Sequence, residues 1–221
     1  MTSPRRIDAP PPFELWSADL DASAVTSDWL SDDERARAGR FVFERDARRF
    51  VAARALLRGL LADYLGAVPA DLRLDLLENG KPVLRVPHAA LAFNLSHSEN
   101  VAWFAFNDAG AIGVDVERLR PIDDAHELAQ RNYTPSECEQ LAQTPPVDRD
   151  LAFLRCWTRK EACLKAIGSG FSIPPETFEA GADAAPRLVS IDTPQGMATL
   201  QLCTVAPPED PQVIGALARV V

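Results

Sequence analysis

Two long stretches of helical periodicity, set among short strand-like runs, restrict the fold of this 221-residue chain more than any other feature. In the first, residues 45–65, the side chains Phe50, Ala53, Leu57, Leu60, Leu61 and Tyr64 recur at helical spacing. Gly66 and Pro69 follow, the usual order of a helix stop. The second, residues 150–167, is closed by Gly168 and Gly170. Strand-like runs occupy 13–20, 72–77, 83–86, 91–96, 101–106 and 112–116, and then 187–191, 197–205 and 213–221. Asn79-Gly80, Ser98-Glu99-Asn100 and Asn107-Asp108-Ala109-Gly110 are the turns between them. This alternation predicts an α+β protein.

The two helices share a faint repeat. Phe50-x-x-x-Arg54-Ala55-x-Leu57-Arg58 matches Trp157-x-x-x-Glu161-Ala162-x-Leu164-Lys165. The repeat suggests two similar α+β halves, 1–110 and 111–221, packed side by side. A ligand cleft would lie at their interface. Shorter signals complete the pattern. Residues 1–12 are a proline-rich lead-in, 27–34 has helix-start character with Ser27 or Ser31 as cap, and residues 125–132 form a helix. Thr134-Pro135-Ser136-Glu137 reads as a capping box with proline at the first helical position.

Composition narrows the function. A net charge of −9 argues against general nucleic-acid binding and against docking on anionic lipid. A phosphate-bearing substrate stays open, provided the basic residues are gathered locally. Cys138, Cys156, Cys163 and Cys203 form no CxxC pair or disulfide-dense pattern, and Cys156 and Cys163 read as small core hydrophobes. No apolar run suits a membrane span or a signal peptide, so a cytoplasmic protein is expected.

The chemistry-bearing residues lie in four short segments. Asp115 and Glu117 stand at i and i+2 on one face of the strand that begins Ile112-Gly113-Val114. Two close carboxylates repel unless a cation neutralises them, although two solvated acids at a strand end are also common. Glu161 and Lys165 stand at i and i+4 on one face of the second long helix, away from the Cys156, Cys163 and Ile167 stripe. An ordinary surface ion pair has the same spacing. Lys81 follows a tight turn, and His97 lies between Ser96 and Ser98; both could meet an anion. Three acids and a lysine suit a hard divalent cation that handles a phosphate ester. No Ser-His-Asp set, P-loop or dinucleotide fingerprint can be assembled, and three histidines make a histidine-rich zinc site improbable.

Taken in order, Gly80-Lys81-Pro82, Phe93-Asn94-Leu95-Ser96-His97-Ser98, Ile112-Gly113-Val114-Asp115-Val116-Glu117 and Trp157-x-x-Lys160-Glu161-Ala162-x-x-Lys165 resemble the motifs of 4′-phosphopantetheinyl transferases, most closely the surfactin-synthetase-activating type. Gly168-Ser169-Gly170-Phe171-Ser172-Ile173-Pro174 looks similar too, and the resemblance covers about residues 31–178. It implies a pseudo-dimeric α+β fold of two similar halves, each a small antiparallel sheet packed with a long helix, and transfer of phosphopantetheine from coenzyme A to a serine of an apo acyl, peptidyl or aryl carrier protein, releasing adenosine 3′,5′-bisphosphate. It further implies Mg²⁺, with Mn²⁺ as an alternative ion, on Asp115, Glu117 and Glu161. Lys81, Ser96, His97, Asp115 and Lys165 would contact coenzyme A, with Arg49, and secondarily Arg54, at its 3′-phosphate. Glu34 stands where family members often carry lysine, with Arg35 and Arg37 nearby.

The expected chemistry is in-line attack of the carrier serine on the β-phosphorus, with Glu161 as base, directly or through water, and Lys165 as second choice. The carrier would dock between residues 131 and 154 or at the rim near Phe171, through a local apolar patch, and the enzyme would act as a monomer. Two other readings use the same residues: a Mg²⁺-dependent coenzyme A pyrophosphate hydrolase, and a non-catalytic module that binds coenzyme A or a carrier.

Overall fold

The computed structural model describes residues 3–77, 80–85, 91–108, 110–168 and 172–221. Asn79, Val86, Ala109 and the Ser169-Gly170-Phe171 segment, all used above, lie outside the described residues.

Two antiparallel four-stranded sheets form the centre. The first contains β1 (Arg5–Ile7), β2 (Glu14–Asp19), β6 (Val101–Asn107) and β5 (Ala92–Ser98), in that order. The second contains β7 (Ile112–Arg118), β10 (Val213–Val220), β9 (Gly196–Val205) and β8 (Arg187–Thr193). A small hairpin pairs β3 (Leu74–Leu76) with β4 (Pro82–Leu84). The helices are α1 (Asp32–Ala38), α2 (Glu44–Leu65), α3 (Ala125–Asn132), α4 (Pro135–Gln143) and α5 (Arg149–Ile167).

Strand alternation builds the layers. On β6, Ala102, Phe104 and Phe106 pack with Ala53, Leu57 and Leu61 of α2, while Val101, Trp103 and Ala105 turn the other way and meet Ile112, Val114 and Val116 of β7. Every residue of β6 is therefore buried. On the far side, α5 covers the second sheet, with Ala162, Cys163 and Ala166 against Leu200, Leu202 and Ala216. The order is helix, sheet, sheet, helix, so each half buries one helix and the two sheets bury each other.

The helix stops follow the sequence signals: Gly66 and Gly168 both take the left-handed conformation just past α2 and α5. Both capping boxes form, Ser31 with Glu34 and Thr134 with Glu137. The lead-in differs from expectation. It contains β1, which pairs with β2 through Arg5, Arg6 and Ile7; its three residues are too few to show a period against the surrounding prolines. Cys156 and Cys163 are fully buried, and burial pushes the Cys163 thiol up to about 12.

Candidate active site

The seam between the halves is made by side chains rather than by a strand ladder. β5 and β7 are edge strands of different sheets that run beside each other. An edge leaves backbone groups in need of partners. Here Asn94 Oδ1 accepts from the Val114 N–H at 2.9 Å, and Ser98 Oγ accepts from the Arg118 N–H at 3.2 Å. The Lys81 ammonium donates to the Ile112 carbonyl at 2.9 Å.

The same seam gathers the charged groups. Because Ile112, Val114 and Val116 face the inter-sheet core, Gly113, Asp115 and Glu117 face α5. A Cβ at Gly113 would lie 2.0 Å from the Ala162 carbonyl oxygen, so only glycine lets α5 rest on β7 at this depth. That approach brings Lys165 Nζ to 2.6 Å from Asp115 Oδ1 and 3.1 Å from Ser96 Oγ. Ser96 Oγ also donates to Asp115 Oδ1 at 2.8 Å, and Ser98 Oγ donates to Glu117 Oε2 at 2.7 Å. Thus Ser96-x-Ser98 on one strand matches Asp115-x-Glu117 on the other, hydroxyl to carboxylate. Arg120 adds a second partner to Glu117 Oε2 at 2.9 Å.

The electrostatics are unbalanced. Asp115 is buried, and its Oδ2 finds no hydrogen-bond partner among the described residues. Burial raises the Asp115 pKa, and the Lys165 and Ser96 contacts only partly oppose that rise. Glu161 is raised as well, by burial first and then by the Asp115 and Glu117 carboxylates, with Lys165 opposing. His97 is lowered by burial and by the Lys165 and Arg49 cations, which favours a neutral imidazole at neutral pH. Among the described residues, no three His, Cys, Asp or Glu side chains are gathered as a metal centre. Lys165 sits on Asp115, and Ser98 with Arg120 holds Glu117. The donor set nevertheless suits a hard cation: all carboxylate oxygens, with a buried one lacking a donor among the described residues and a second acid raised in pKa by burial and by its carboxylate neighbours.

A cavity of about 580 Å³ opens beside these groups and is lined by Lys81, Ser96, His97, Glu161, Lys165 and Arg54, among others. A second cavity, of about 810 Å³, adjoins it and shares Arg37, Phe50 and Arg54 as a common wall. Arg37 and Arg54 both lie over the Phe50 ring, with centroid distances of 5.3 and 5.6 Å. Arg54 Nη1 is buried without a hydrogen-bond partner among the described residues. The acidic chain therefore does concentrate basic charge: residues 35–58 hold eight arginines against Glu44 and Asp46.

The sequence-predicted residues separate into groups. Ser96, Lys165 and Glu161 come together on the cleft wall, with His97 and Arg54 on the same cavity, and Asp115 lies buried against Ser96 and Lys165. Glu117 stands one strand repeat further along, tied to Ser98 and Arg120. Arg49 is engaged in a bidentate pair with Asp21, at 2.8 and 2.6 Å, outside the cavity wall. Lys81 lines the cavity but aims its ammonium at carbonyls. Glu34, where the resembling family often has lysine, is buried against Arg58 at 2.8 Å and Arg54 at 3.7 Å. The sequence reading did not pick out Asn94 and Ser98 as seam residues. The matched serine and carboxylate spacings were the one signal available for Ser98.

Two known families match the chain, one after the other. Residues 14–108 match the family described as 4′-phosphopantetheinyl transferase, N-terminal, and residues 111–202 match the 4′-phosphopantetheinyl transferase superfamily. The chain is 46% identical over 145 residues to the 4′-phosphopantetheinyl transferase HetI of Nostoc sp., covering 65% of this chain and 61% of HetI. It is 30% identical over 160 residues to the mouse L-aminoadipate-semialdehyde dehydrogenase-phosphopantetheinyl transferase, covering 68% of this chain and 52% of that protein. In HetI and in a Synechocystis relative the matched region spans about three fifths of the protein, 61% and 58%. With the 4′-phosphopantetheinyl transferase ffp of Bacillus subtilis the identity is 30% over 168 residues, covering 76% of this chain and 72% of ffp. On that match, and on two consecutive family matches, the chain belongs to the 4′-phosphopantetheinyl transferase family.

Proposed function

We propose that this protein transfers phosphopantetheine from coenzyme A to a serine of an apo acyl or peptidyl carrier protein. The observation that carries the reading is the buried Asp115, bonded on one oxygen to Lys165 and Ser96, which line a cleft rimmed by Arg37 and Arg54, and lacking a donor on the other among the described residues. Such a site suits a polyanion whose charge must be neutralised before a nucleophile can approach.

In this reading the carrier serine oxygen forms a bond to the β-phosphorus, and the bond to the bridging pyrophosphate oxygen breaks. Adenosine 3′,5′-bisphosphate leaves with the electron pair. The serine proton goes to a base on the enzyme. Glu161 is the base this arrangement favours, because burial makes its carboxylate a better proton acceptor than an exposed one. Lys165 already donates to Asp115 and Ser96, so it serves as a cation facing the transferred phosphate. Arg37 and Arg54 supply charge to the nucleotide end. His97 offers a neutral N–H. Asp115, Glu117 and Glu161 would hold Mg²⁺, or Mn²⁺. When bound, that ion would supply Lewis-acid neutralisation of the pyrophosphate.

The same reading carries the protein as a cytoplasmic monomer without nucleic-acid or membrane partners. No helix among the described residues is long and apolar enough to cross a membrane. The carrier surface is proposed around α3 and the turn before α5, where Leu128 and Val147 are exposed. One incubation tests the reading: coenzyme A, Mg²⁺ and an apo carrier, followed by intact mass. Addition of the phosphopantetheine mass to the carrier is expected. Consumption of coenzyme A with an unmodified carrier would instead identify a hydrolase, and neither change would identify a binding module.

A further inference from the structure

We propose that Lys81 is a positioning residue, which caps the carbonyl end of α5 from the opposite half and so fixes Lys165 against Asp115. The inference starts with the turn. Gly80 takes φ 81°, a left-handed conformation that glycine adopts without strain. Its N–H bonds the Leu77 carbonyl at 2.8 Å, and the Leu77 N–H bonds the Lys81 carbonyl at 2.9 Å. The backbone of Lys81 is thus set at the mouth of the β3–β4 hairpin, and its side chain crosses the seam.

There its ammonium donates to two backbone carbonyls that are far apart in sequence, Ile112 at 2.9 Å and Lys165 at 2.6 Å. Ile112 opens β7. Lys165 lies in the last turn of α5, where carbonyls run out of helical donors and the helix dipole favours a cation. Lys81 therefore ties together the hairpin of one half with the strand that carries Asp115 and the helix turn that carries Lys165. A lysine that serves as a phosphate ligand presents its ammonium to the open cavity; this one presents it to the protein. The bond is made to the backbone of the residue whose side chain reaches Asp115. Loss of Lys81 would let the end of α5 move, and the 2.6 Å contact between Lys165 and Asp115 with it.

The turnover part of this inference rests on the transferase reading; the structural part does not. The test uses the full chain with Lys81→Met and Lys81→Arg. Three quantities are measured: amide hydrogen exchange over residues 164–168, the dissociation constant for coenzyme A by calorimetry, and the single-turnover rate with an apo carrier. In Lys81→Met, exchange at the end of α5 should rise on the order of tenfold through local opening. The transfer rate should fall on the order of tenfold while coenzyme A affinity stays within about twofold, the signature of lost positioning rather than lost binding. Lys81→Arg, which keeps charge and donors, should recover most of the rate. A tenfold or larger loss of coenzyme A affinity with unchanged exchange would overturn the inference and make Lys81 a ligand contact. If Lys81→Met does not fold, Lys81→Gln, a neutral donor, is compared with Lys81→Arg. Greater exchange in the glutamine variant supports the inference, and equal exchange overturns it. If the wild-type protein transfers nothing, the exchange comparison still decides.

Discussion

Helix α5 carries two lysine–carboxylate pairs five residues apart, and they are built for opposite purposes. Lys160 meets Glu137 at 2.8 Å in the interior, with both side chains essentially inaccessible. Lys160 also donates to the Pro175 and Phe178 carbonyls at 2.7 and 2.6 Å. Glu137 accepts from the Thr134, Ala180 and Gly181 N–H groups at 2.9, 2.7 and 2.8 Å. Every acceptor is used. Burial pushes the Glu137 carboxyl up, but Lys160 and the backbone donors overcome it and hold the pKa below the ordinary value. One and a half turns further on, Lys165 meets Asp115 with one carboxylate oxygen left over, and there burial prevails and the pKa rises. A saturated pair locks the fold, whereas an unsaturated one retains capacity for a ligand.

The largest effect should come from breaking the saturated pair. Lys160→Met leaves Glu137 a buried charge with no counter-ion, a change that costs about 3–5 kcal/mol. Denaturant unfolding should show that loss, while the molecules still folded transfer at close to the wild-type rate. Equal loss of rate in the folded fraction would erase the distinction between the two pairs.

Next in size, Asp115→Ala or Glu161→Ala should reduce transfer on the order of a hundredfold or more, about 3 kcal/mol of transition-state stabilisation, with the unfolding midpoint no lower than that of wild type. Full activity of either purified variant would remove those residues from the site. Gly113→Ala combines both regions. Its methyl would collide with the α5 backbone at Ala162, 2.0 Å away, and overpacking of this kind costs about 1–3 kcal/mol. Since α5 must shift to relieve it, activity should fall further than stability. A variant as active as wild type would show that the helix-to-strand approach does not set the Lys165 position.

The smallest effects concern pH, and their signs are opposite. Glu161 binds its proton more tightly folded than unfolded. Its contribution to stability is therefore complete below the unfolded carboxylate pKa and is lost as pH rises through the folded one. Glu161→Gln should become progressively more stable than wild type, without added metal, between about pH 4 and neutrality. Glu137 is depressed, so its contribution is present above the unfolded value and is lost as pH falls through the folded one. The deficit of Glu137→Gln against wild type should shrink on acidification. Unfolding curves carried from neutrality to well below the ordinary carboxylate pKa of about 4.3 read both, and parallel trends would contradict the contrast.

Several of these features could be read from the residues alone. Helix α2 and helix α5 lie within a residue of their periodicity, because long amphipathic patterns and glycine stops are local signals. The Thr134 and Glu137 capping box was legible for the same reason. Asp115 and Glu117 on one strand face, and Glu161 and Lys165 on one helix face, follow from spacing. Other features were not legible. Lys160 adjoins Glu161 in sequence, yet it is buried with a partner on another helix, and periodicity has no term for a charge whose counter-ion comes from a distant element. Ser98 and Asn94 act across the seam, so their roles depend on which edge strand lies opposite. The direction of the Lys81 ammonium depends on where the end of α5 falls.

The sequence by itself therefore determined the elements, their order and the chemical types placed on each exposed face, because these depend on propensity, period and caps within a few residues. Only the tertiary structure decided which lysine would be consumed by the interior and which would stand in the cleft. That choice is set by whether the surrounding backbone can supply enough donors to satisfy a buried carboxylate, and those donors arrive from residues tens of positions away.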